Sequence, residues 1–422
     1  MKIKVNAIKI INIVLMIIMV FYALSQQSWG GVISGIVMWR LLFLGCIVFG
    51  IVSILGIRRK FSLFTLLSIG MVIIVFTFNN QNFSNGSNGY ELLFAEVILF
   101  SLAMYRKDYW IDSAIKMMLL LGVFYASMTW LSFFSKSFYD KIIYPIIASV
   151  NDISHVGLSS YYSNGFTAHY SFNGMYIALA VCLAIGFLIP EQVNGKVKNK
   201  WIKIIFVMVM FGALLLTNKR AHILFTVAGA FLAYYIYNSD KPTKRIIKIL
   251  GLLIIISVMC YLLYTIMPNM FEFLKRFEES SEEAGGITNG RYQVWAIAIA
   301  FFRGKWFMGT GWWSFYRYFG AHVHNIYLQL FIETGIIGSV VFVMYFLNAF
   351  IKNILLLRAC RIKKIMVENK EERYLIISLV YQTFFLLYGI TGTCLYEAPT
   401  LVPYVIFCSI TEHYWSKKYL NK

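Results

Sequence analysis

Charge is scarce in this 422-residue chain. Charged residues make up 14% of it, where a soluble globular chain carries about 25%. The shortage is mostly acidic, with 19 Asp and Glu against 38 Lys and Arg. That leaves too little polar surface to coat a soluble fold, which excludes a free aqueous enzyme. Cysteine is sparse as well. Cys46, Cys182, Cys260, Cys360, Cys394 and Cys408 are scattered, with no C-x-x-C pair, so neither a zinc site nor a disulfide framework is indicated and buried thiols are expected. Also missing are a Walker loop, a dinucleotide glycine fingerprint, a zinc-ligand helix and a nucleophile elbow. No D-x-D-like acidic pair appears to hold a divalent metal, and no cofactor is expected. Internal repeats of the transporter kind are not visible.

What is present is apolar. Hydrophobic residues make up 59% and aromatics 18%, and the mean hydropathy is +0.69. Tyr, Trp and Phe recur at the ends of apolar runs, as in an interfacial belt. The formal net charge of +19 lies in short segments between those runs instead of in one patch, which argues against nucleic acid. The first apolar run, Ala7–Leu24, exceeds a signal-peptide core and lacks a convincing cleavage site, so an uncleaved first helix is expected.

A bilayer core takes about 20 apolar residues per helix. Runs of that order fall at Ala7–Leu24, Val32–Leu55, Phe61–Phe78, Tyr90–Tyr105, Ile111–Phe134, Phe172–Ile189, Trp201–Thr217 and Ala221–Tyr237. Others fall at Ile246–Ile266, Asn325–Phe350, Tyr374–Ile390 and Leu395–Tyr414. The expectation is one all-α integral membrane domain, residues 1–422, with about twelve transmembrane helices. Lys and Arg collect in alternate loops, at Arg58–Lys60, Arg106–Lys107, Lys196–Lys200, Lys241–Arg245 and Arg358–Lys364. The positive-inside rule then puts both termini in the cytoplasm and two large loops, 135–171 and 267–323, outside. In the second loop Tyr292–Phe302 is apolar but too short to cross. Trp295, Ile299 and Phe302 share a helical face there, as in an amphipathic helix lying on the surface. Long loops usually carry function.

The residues suited to chemistry sit on that outer side. Lys219 and Arg220 occupy a very short outer turn, against the charge bias. They either snorkel to lipid phosphates or grip a pyrophosphate, whose oxygens suit a guanidinium. Arg291 opens the amphipathic helix, where a cation opposes the helix dipole and so serves stability poorly. Arg303, Lys305 and Arg317 add positive potential to the same loop, as substrate contacts or as a solvated basic face. His322, His324 and Asn325 stand where this loop re-enters the membrane, and His169 in the first loop. A histidine so placed can take a proton from an attacking hydroxyl, or serve as a structural hydrogen-bonder. Arg40 and Glu96 lie at similar depth inside expected spans, and a contact between them is expected because unpaired intramembrane charges are costly. Glu333 and Glu397 line the same cavity or act as helix-packing residues.

From Gly290 onward the chain resembles the O-antigen ligase and O-antigen polymerase superfamily of bacterial surface-polysaccharide enzymes. The motifs are Gly290-Arg291-x-x-x-Trp295, Gly309-Thr310-Gly311, and His324-Asn325 followed after nine residues by Gly335-Ile336-Ile337-Gly338. Upstream, Thr217-Asn218-Lys219-Arg220-Ala221 resembles the family's short outer Ser-Arg-Gly/Ala turn, and Gly165-Phe166-x-x-His169 its Gly-Phe…His pattern. Two departures stand out: Asn-Lys precedes Arg220, and Lys305-Trp306 stands where proline commonly precedes the glycine pair. The resemblance implies a GT-C-like membrane glycosyltransferase that is metal-independent and inverting. It further implies an undecaprenyl-pyrophosphate-linked glycan as donor and a glycan hydroxyl as acceptor, with a flippase and a chain-length regulator of the same pathway as partners. In that picture Arg220, Arg291 and His324 are catalytic. Lys219, Asn325, His169, His322, Arg303 and Arg317 bind substrate. The site faces outward from a bacterial inner membrane. Polymerisation of O-antigen, capsule or exopolysaccharide repeat units is the leading expectation, a ligase moving finished glycan to lipid A core is the near alternative, and a lipid-linked oligosaccharide flippase the distant one.

Overall fold

The computed structural model describes residues 2–25, 62–77, 89–105, 107–148, 161–188, 199–239, 291–362 and 369–419, plus positions 28, 192–193, 196–197, 258, 261 and 264–265. The expected spans Val32–Leu55 and Ile246–Ile266 lie outside these residues, apart from isolated positions in the second. So does the Arg40–Glu96 contact, because Arg40 and the Glu96 side chain are not described.

Elsewhere the apolar runs are helices: α1 (Lys2–Ala23), α2 (Leu63–Thr77), α3 (Gly89–Met104), α4 (Ile111–Phe134), α5 (Tyr170–Leu188), α6 (Lys200–Leu216) and α7 (Arg220–Tyr237). After the second large loop begins come α8 (Arg291–Phe302), the short α9 (Ser314–Phe319), α10 (Ile326–Ile362), α11 (Asn369–Tyr388) and α12 (Ala398–Tyr419). The only strands among the described residues are a two-residue antiparallel pair, Gln192–Val193 with Lys196–Val197. Among the described residues three helices, α4, α5 and α10, are long and apolar enough to cross a membrane.

The bundle is built around α5. Of its apolar window 78% is buried, against 39% for α4 and 50% for α10, and it packs on α4, α6, α7 and α11. Small residues let these helices approach closely, as is usual where backbone packing replaces the hydrophobic drive. A Cβ on Gly229 of α7 would stand 2.5 Å from the Val380 carbonyl oxygen of α11.

One end of the bundle is tied by ion pairs. Lys370 and Tyr374 of α11 donate to Asp112 at the start of α4. Lys417 Nζ reaches Glu371 at 2.6 Å, and the Arg361 guanidinium reaches Glu372 at 3.4 Å while stacking 3.9 Å from the Tyr237 ring. The opposite end carries the described parts of the two large loops, 135–148 with 161–169 and 303–325.

Two expectations need correction. The span Asn325–Phe350 is not a continuous helix: α10 is 37 residues long and breaks at Gly335, whose φ of 64° and ψ of −166° suit glycine alone. The stretch after the break, 336–362, spans about 40 Å at 1.5 Å per residue and suffices to cross by itself. On α8 the buried side chains are Ala298 and Phe302, with Trp295 half-buried and Ile299 55% exposed. Ile299 therefore leaves the expected face, because α8 packs on α10 through Phe302, 4.7 Å from Phe331.

Candidate active site

The break in α10 is where the second outer loop docks. Breaking a helix at membrane depth frees backbone groups that must find partners. Residues 306–311 supply them. Thr310 N–H donates to Ile332 O at 2.8 Å and Gly311 N–H to Glu333 O at 2.9 Å, while Ile336 N–H turns to Trp306 O at 2.9 Å. The contact works only between glycines. A Cβ on Gly335 would stand 2.1 Å from Phe307 O, and one on Gly309 2.4 Å from Glu333 O. The Gly-Thr-Gly and Gly-x-x-Gly motifs thus meet each other.

Just before α10, His324 adopts φ of 55°, a left-handed conformation rare outside glycine. Both neighbours are pinned. Val323 N–H donates to Gln329 Oε1 at 3.3 Å and Val323 O accepts from Trp295 Nε1 of α8 at 3.0 Å. Asn325 caps α10, its Oδ1 accepting from Tyr327 N–H at 3.1 Å and Leu328 N–H at 3.0 Å. Ile326 N–H bonds Gly389 O at 2.8 Å, and Tyr327 Oη donates to Leu386 O at 2.7 Å, which brings the end of α11 beside His324.

The first outer loop arrives on the other side. Gly165, at φ of 51°, leaves no room for a side chain against Thr129 and Asn173. Asn173 Nδ2 bonds Ser163 O, and Ser163 Oγ accepts from Asn218 Nδ2 at 3.0 Å. Asn218, itself at φ of 56°, makes the turn between α6 and α7. The loop and the Lys219–Arg220 turn are therefore one unit. Lys219 Nζ sits 4.5 Å above the Tyr170 ring, which stacks on His169 at 4.7 Å. Lys219 and Arg220 are both half-buried rather than extended into solvent. His222 wedges this turn into the bundle, buried 4.7 Å from the Tyr388 ring and against Gly174 of α5.

These pieces converge. His324 lies within Coulombic reach of Arg291 and Lys219, and Arg291 within reach of Tyr388 and Tyr170. Lys219 also faces His169 and Glu397, and Tyr388 is hydrogen-bonded with Ser171. Burial, then Arg291 and Lys219, push the His324 imidazole down to about 4. Burial, then Lys219, hold His169 at about 4. Burial also lowers the Arg291 guanidinium. The result is a cationic cluster with neutral imidazoles, suited to an anion and a hydroxyl together.

His322 lies beside the cluster in an aromatic surround, its ring 4.9 Å from Trp313, 4.7 Å from Tyr316 and 5.6 Å from Tyr396. Burial, then His324, push it to about 4. Arg317 donates to Trp312 O and so braces its own loop. Arg303 is exposed at the far end of α8, about 18 Å along the axis from Arg291, and Lys305 follows it into the open. Of the expected site residues, then, His169, Lys219, Arg291 and His324 come together, with Arg220 at the same turn. Arg303 stands apart. Gly290 lies outside the described residues.

Two contributors carried no sequence signal: Tyr170 and Tyr388 look like ordinary helix-end residues until α5 and α11 bring them together, whereas Glu397 and Glu333 stand out in the sequence as glutamates in or near apolar runs. Glu333 is fully buried and accepts three hydrogen bonds: Tyr396 Oη at 2.7 Å, Trp313 N–H at 3.0 Å and Gln329 Nε2 at 2.9 Å.

Residues 205–343 match the family model described as O-antigen ligase. The matched segment carries Lys219, Arg220, Arg291, His324 and the broken part of α10. No curated protein matches the chain.

Proposed function

We propose that this membrane protein, residues 205–343 of which match the O-antigen ligase family model, transfers a glycan from a polyprenyl pyrophosphate to a sugar hydroxyl in surface-polysaccharide synthesis, polymerising repeat units. The observation that carries the reading is the convergence of His324 with Arg291 and Lys219 at one end of the bundle. In the proposed step the acceptor oxygen attacks the anomeric carbon, the bond from that carbon to the phosphate oxygen breaks, and the lipid pyrophosphate leaves. A single displacement inverts the anomeric centre. Negative charge grows on the leaving oxygens, where Arg291, Lys219 and Arg220 would neutralise it without a metal. The hydroxyl proton passes to His324.

The low pKa of His324 fits this order of events. Beside two cations the imidazole is neutral and a weak base. A bound pyrophosphate cancels their field and raises its basicity, so the base becomes effective only when the donor is in place. Asn325 then acts as the cap that ends the His324 turn, not as a donor ligand. We place the site on the outer face of a bacterial inner membrane, in a GT-C-like bundle of about twelve spans.

The test is expression of wild type, Arg291→Ala, Arg220→Ala and His324→Ala, matched for protein level, in cells lacking their own polymerase and supplied with the repeat-unit pathway. A glycan ladder that collapses to single repeats in the variants supports polymerisation. Single repeats with wild type as well sink the polymerase reading; transfer of intact glycan to another acceptor would then identify a ligase, and its absence would point to transport.

A further inference from the structure

Glu333 takes no part in the step above, yet it ties together the segments that build the site. Its backbone carbonyl holds Gly311 and, next to it, Ile332 O holds Thr310. Its carboxylate holds three more groups. Oε2 accepts from the Trp313 backbone N–H and from the Tyr396 hydroxyl, which precedes Glu397; Oε1 accepts from Gln329. Gln329 in turn accepts from Val323 N–H through Oε1, and its Nε2 stands 3.4 Å from His322 Nδ1. Every group around the carboxylate is a donor. A buried acceptor with three donors is not interchangeable with an amide, because an amide must present a donor of its own to one of them.

We infer that Glu333 is a positioning residue: through Gln329 it holds the left-handed His324 turn in register with the Lys219–Glu397 side of the site, and it does so by the polarity of the Glu333–Gln329 pair. This rests on the glycosyl-transfer reading for its kinetic consequence, but not for its geometric one. Glu333 and the acceptor hydroxyl never meet. Its action on His324 runs through Gln329 and Val323 N–H, and Trp295 Nε1 on Val323 O holds the next peptide, the one that joins Val323 to His324.

The polarity of the pair dictates what each exchange does. In Glu333→Gln the new amide oxygen takes the Oε2 position, with its two donors, and the new NH2 faces the NH2 of Gln329. Gln329 can flip to accept it only by turning its own NH2 toward Val323 N–H, which breaks the link to the turn. Exchanging the two residues restores the matches to Trp313, Tyr396 and Val323, and His322 Nδ1 can keep its contact with position 329 by becoming the donor. In Glu333→Gln/Gln329→Glu, the carboxylate at 329 accepts from Val323 N–H and from the new amide. Gln329→Glu alone sets two carboxylates face to face.

The experiment uses full-length protein in detergent or nanodiscs with two readouts. One is kcat and KM for the lipid-linked repeat unit extracted from cells of the same pathway. The other needs no substrate: the pH dependence of carbethoxylation at His324 by diethyl pyrocarbonate, read by mass spectrometry. The groups facing His324 are Arg291, Lys219 and His322. Glu333→Gln is expected to lower kcat by about 10- to 100-fold, the scale of losing an outer partner of a reacting group, with KM within about twofold because the phosphate-facing cations are untouched. The half-reaction pH of His324 moves from its low wild-type value toward that of a free imidazole. Gln329→Glu is at least as poor, and the exchanged pair recovers most of both readouts. Wild-type kcat and His324 reactivity in Glu333→Gln, an effect on KM alone, or an exchanged pair no better than the single variants overturns the inference. An exchanged pair that fails to fold overturns it too, since its bonding pattern is the native one reversed. If wild type transfers no glycan, the functional reading fails, and the His324 reactivity still decides the positioning role.

Discussion

His324 is held where an imidazole resists protonation, and that has kinetic consequences. Free enzyme needs His324 neutral, so kcat/KM should rise with pH through a midpoint near its resting value of about 4, well under the ordinary 6.5 or so. With pyrophosphate bound the neighbouring cations are offset, and the acid limb of kcat should lie higher than that of kcat/KM. Lys219→Met removes one of the two charges acting on His324 and should shift the kcat/KM limb upward. It should remain below the free-imidazole value, because burial is the larger cause. Purified enzyme assayed across pH 4 to 8 checks this. A wild-type midpoint near 6.5 that Lys219→Met leaves in place would remove His324 as the base. The same depression acts on stability. His169, His322 and His324 bind protons more readily in the unfolded chain, so their contribution is fully present above about pH 6.5 and is lost as pH falls toward about 4. The melting temperature should therefore fall across that window, and fall less in a His169→Gln/His322→Gln variant; equal falls in both proteins would show the histidines are not responsible. At this scale the sequence is informative where one residue type has one use. His324-Asn325 and the out-of-place Lys219-Arg220 stand out in a chain poor in charge. Glu333 is visible only as a glutamate in an apolar run, and Tyr396 not at all, because nothing in their local spacing says that three donors converge on one carboxylate.

The elements themselves follow from apolar runs of membrane length, and among the described residues the helices fall where those runs lie. What the runs conceal is the break in α10. Apolar residues continue on both sides of Gly335, so hydropathy reads one span, and only the backbone geometry shows that the outer loop supplies the missing hydrogen bonds. The motif glycines hinted at it without saying what they touch. Their contributions can be separated. Gly335→Ala puts a side chain at φ of 64° and ψ of −166° and against Phe307 O, at a cost of about 1–3 kcal/mol for the backbone conformation alone. It should lower melting temperature and expose residues 303–311 to protease. Gly309→Ala, which meets Glu333 O, should behave similarly. Gly304 has φ of 85° but nothing within 4 Å of a Cβ, so Gly304→Ala carries the backbone penalty without the clash and should be the mildest of the three. Equal losses in all three variants would mean that loop docking at the break contributes nothing.

Across the whole molecule the two ends of the bundle divide the work. One end holds the cationic cluster and the described parts of both large loops. The other holds the Asp112, Glu371 and Glu372 pairings with Lys370, Lys417 and Arg361. Each exposed pair contributes little stability by itself, but their placement agrees with the side to which Lys and Arg loops are assigned by the positive-inside rule. The charge pattern alone assigns a polarity, whereas the convergence of α5, α7, α8, α10, α11 and α12 on one cluster is not legible, since helix packing order is not written in hydropathy. The polarity can be measured directly. Tyr318 is 72% exposed on α9, in the second large loop and beside Phe301, and Lys370 is exposed at the opposite end. Of the native thiols, Cys182, Cys394 and Cys408 are buried and Cys360 is half-buried, so a background with all six replaced by Ser or Ala gives a clean reading. In intact cells a membrane-impermeant maleimide should label Tyr318→Cys, while Lys370→Cys should react only after the membrane is opened. The reverse pattern would put the His324 cluster on the cytoplasmic side, where a pyrophosphate-linked glycan is built rather than joined, and labelling of both in intact cells would mean that the helices between them do not cross the bilayer.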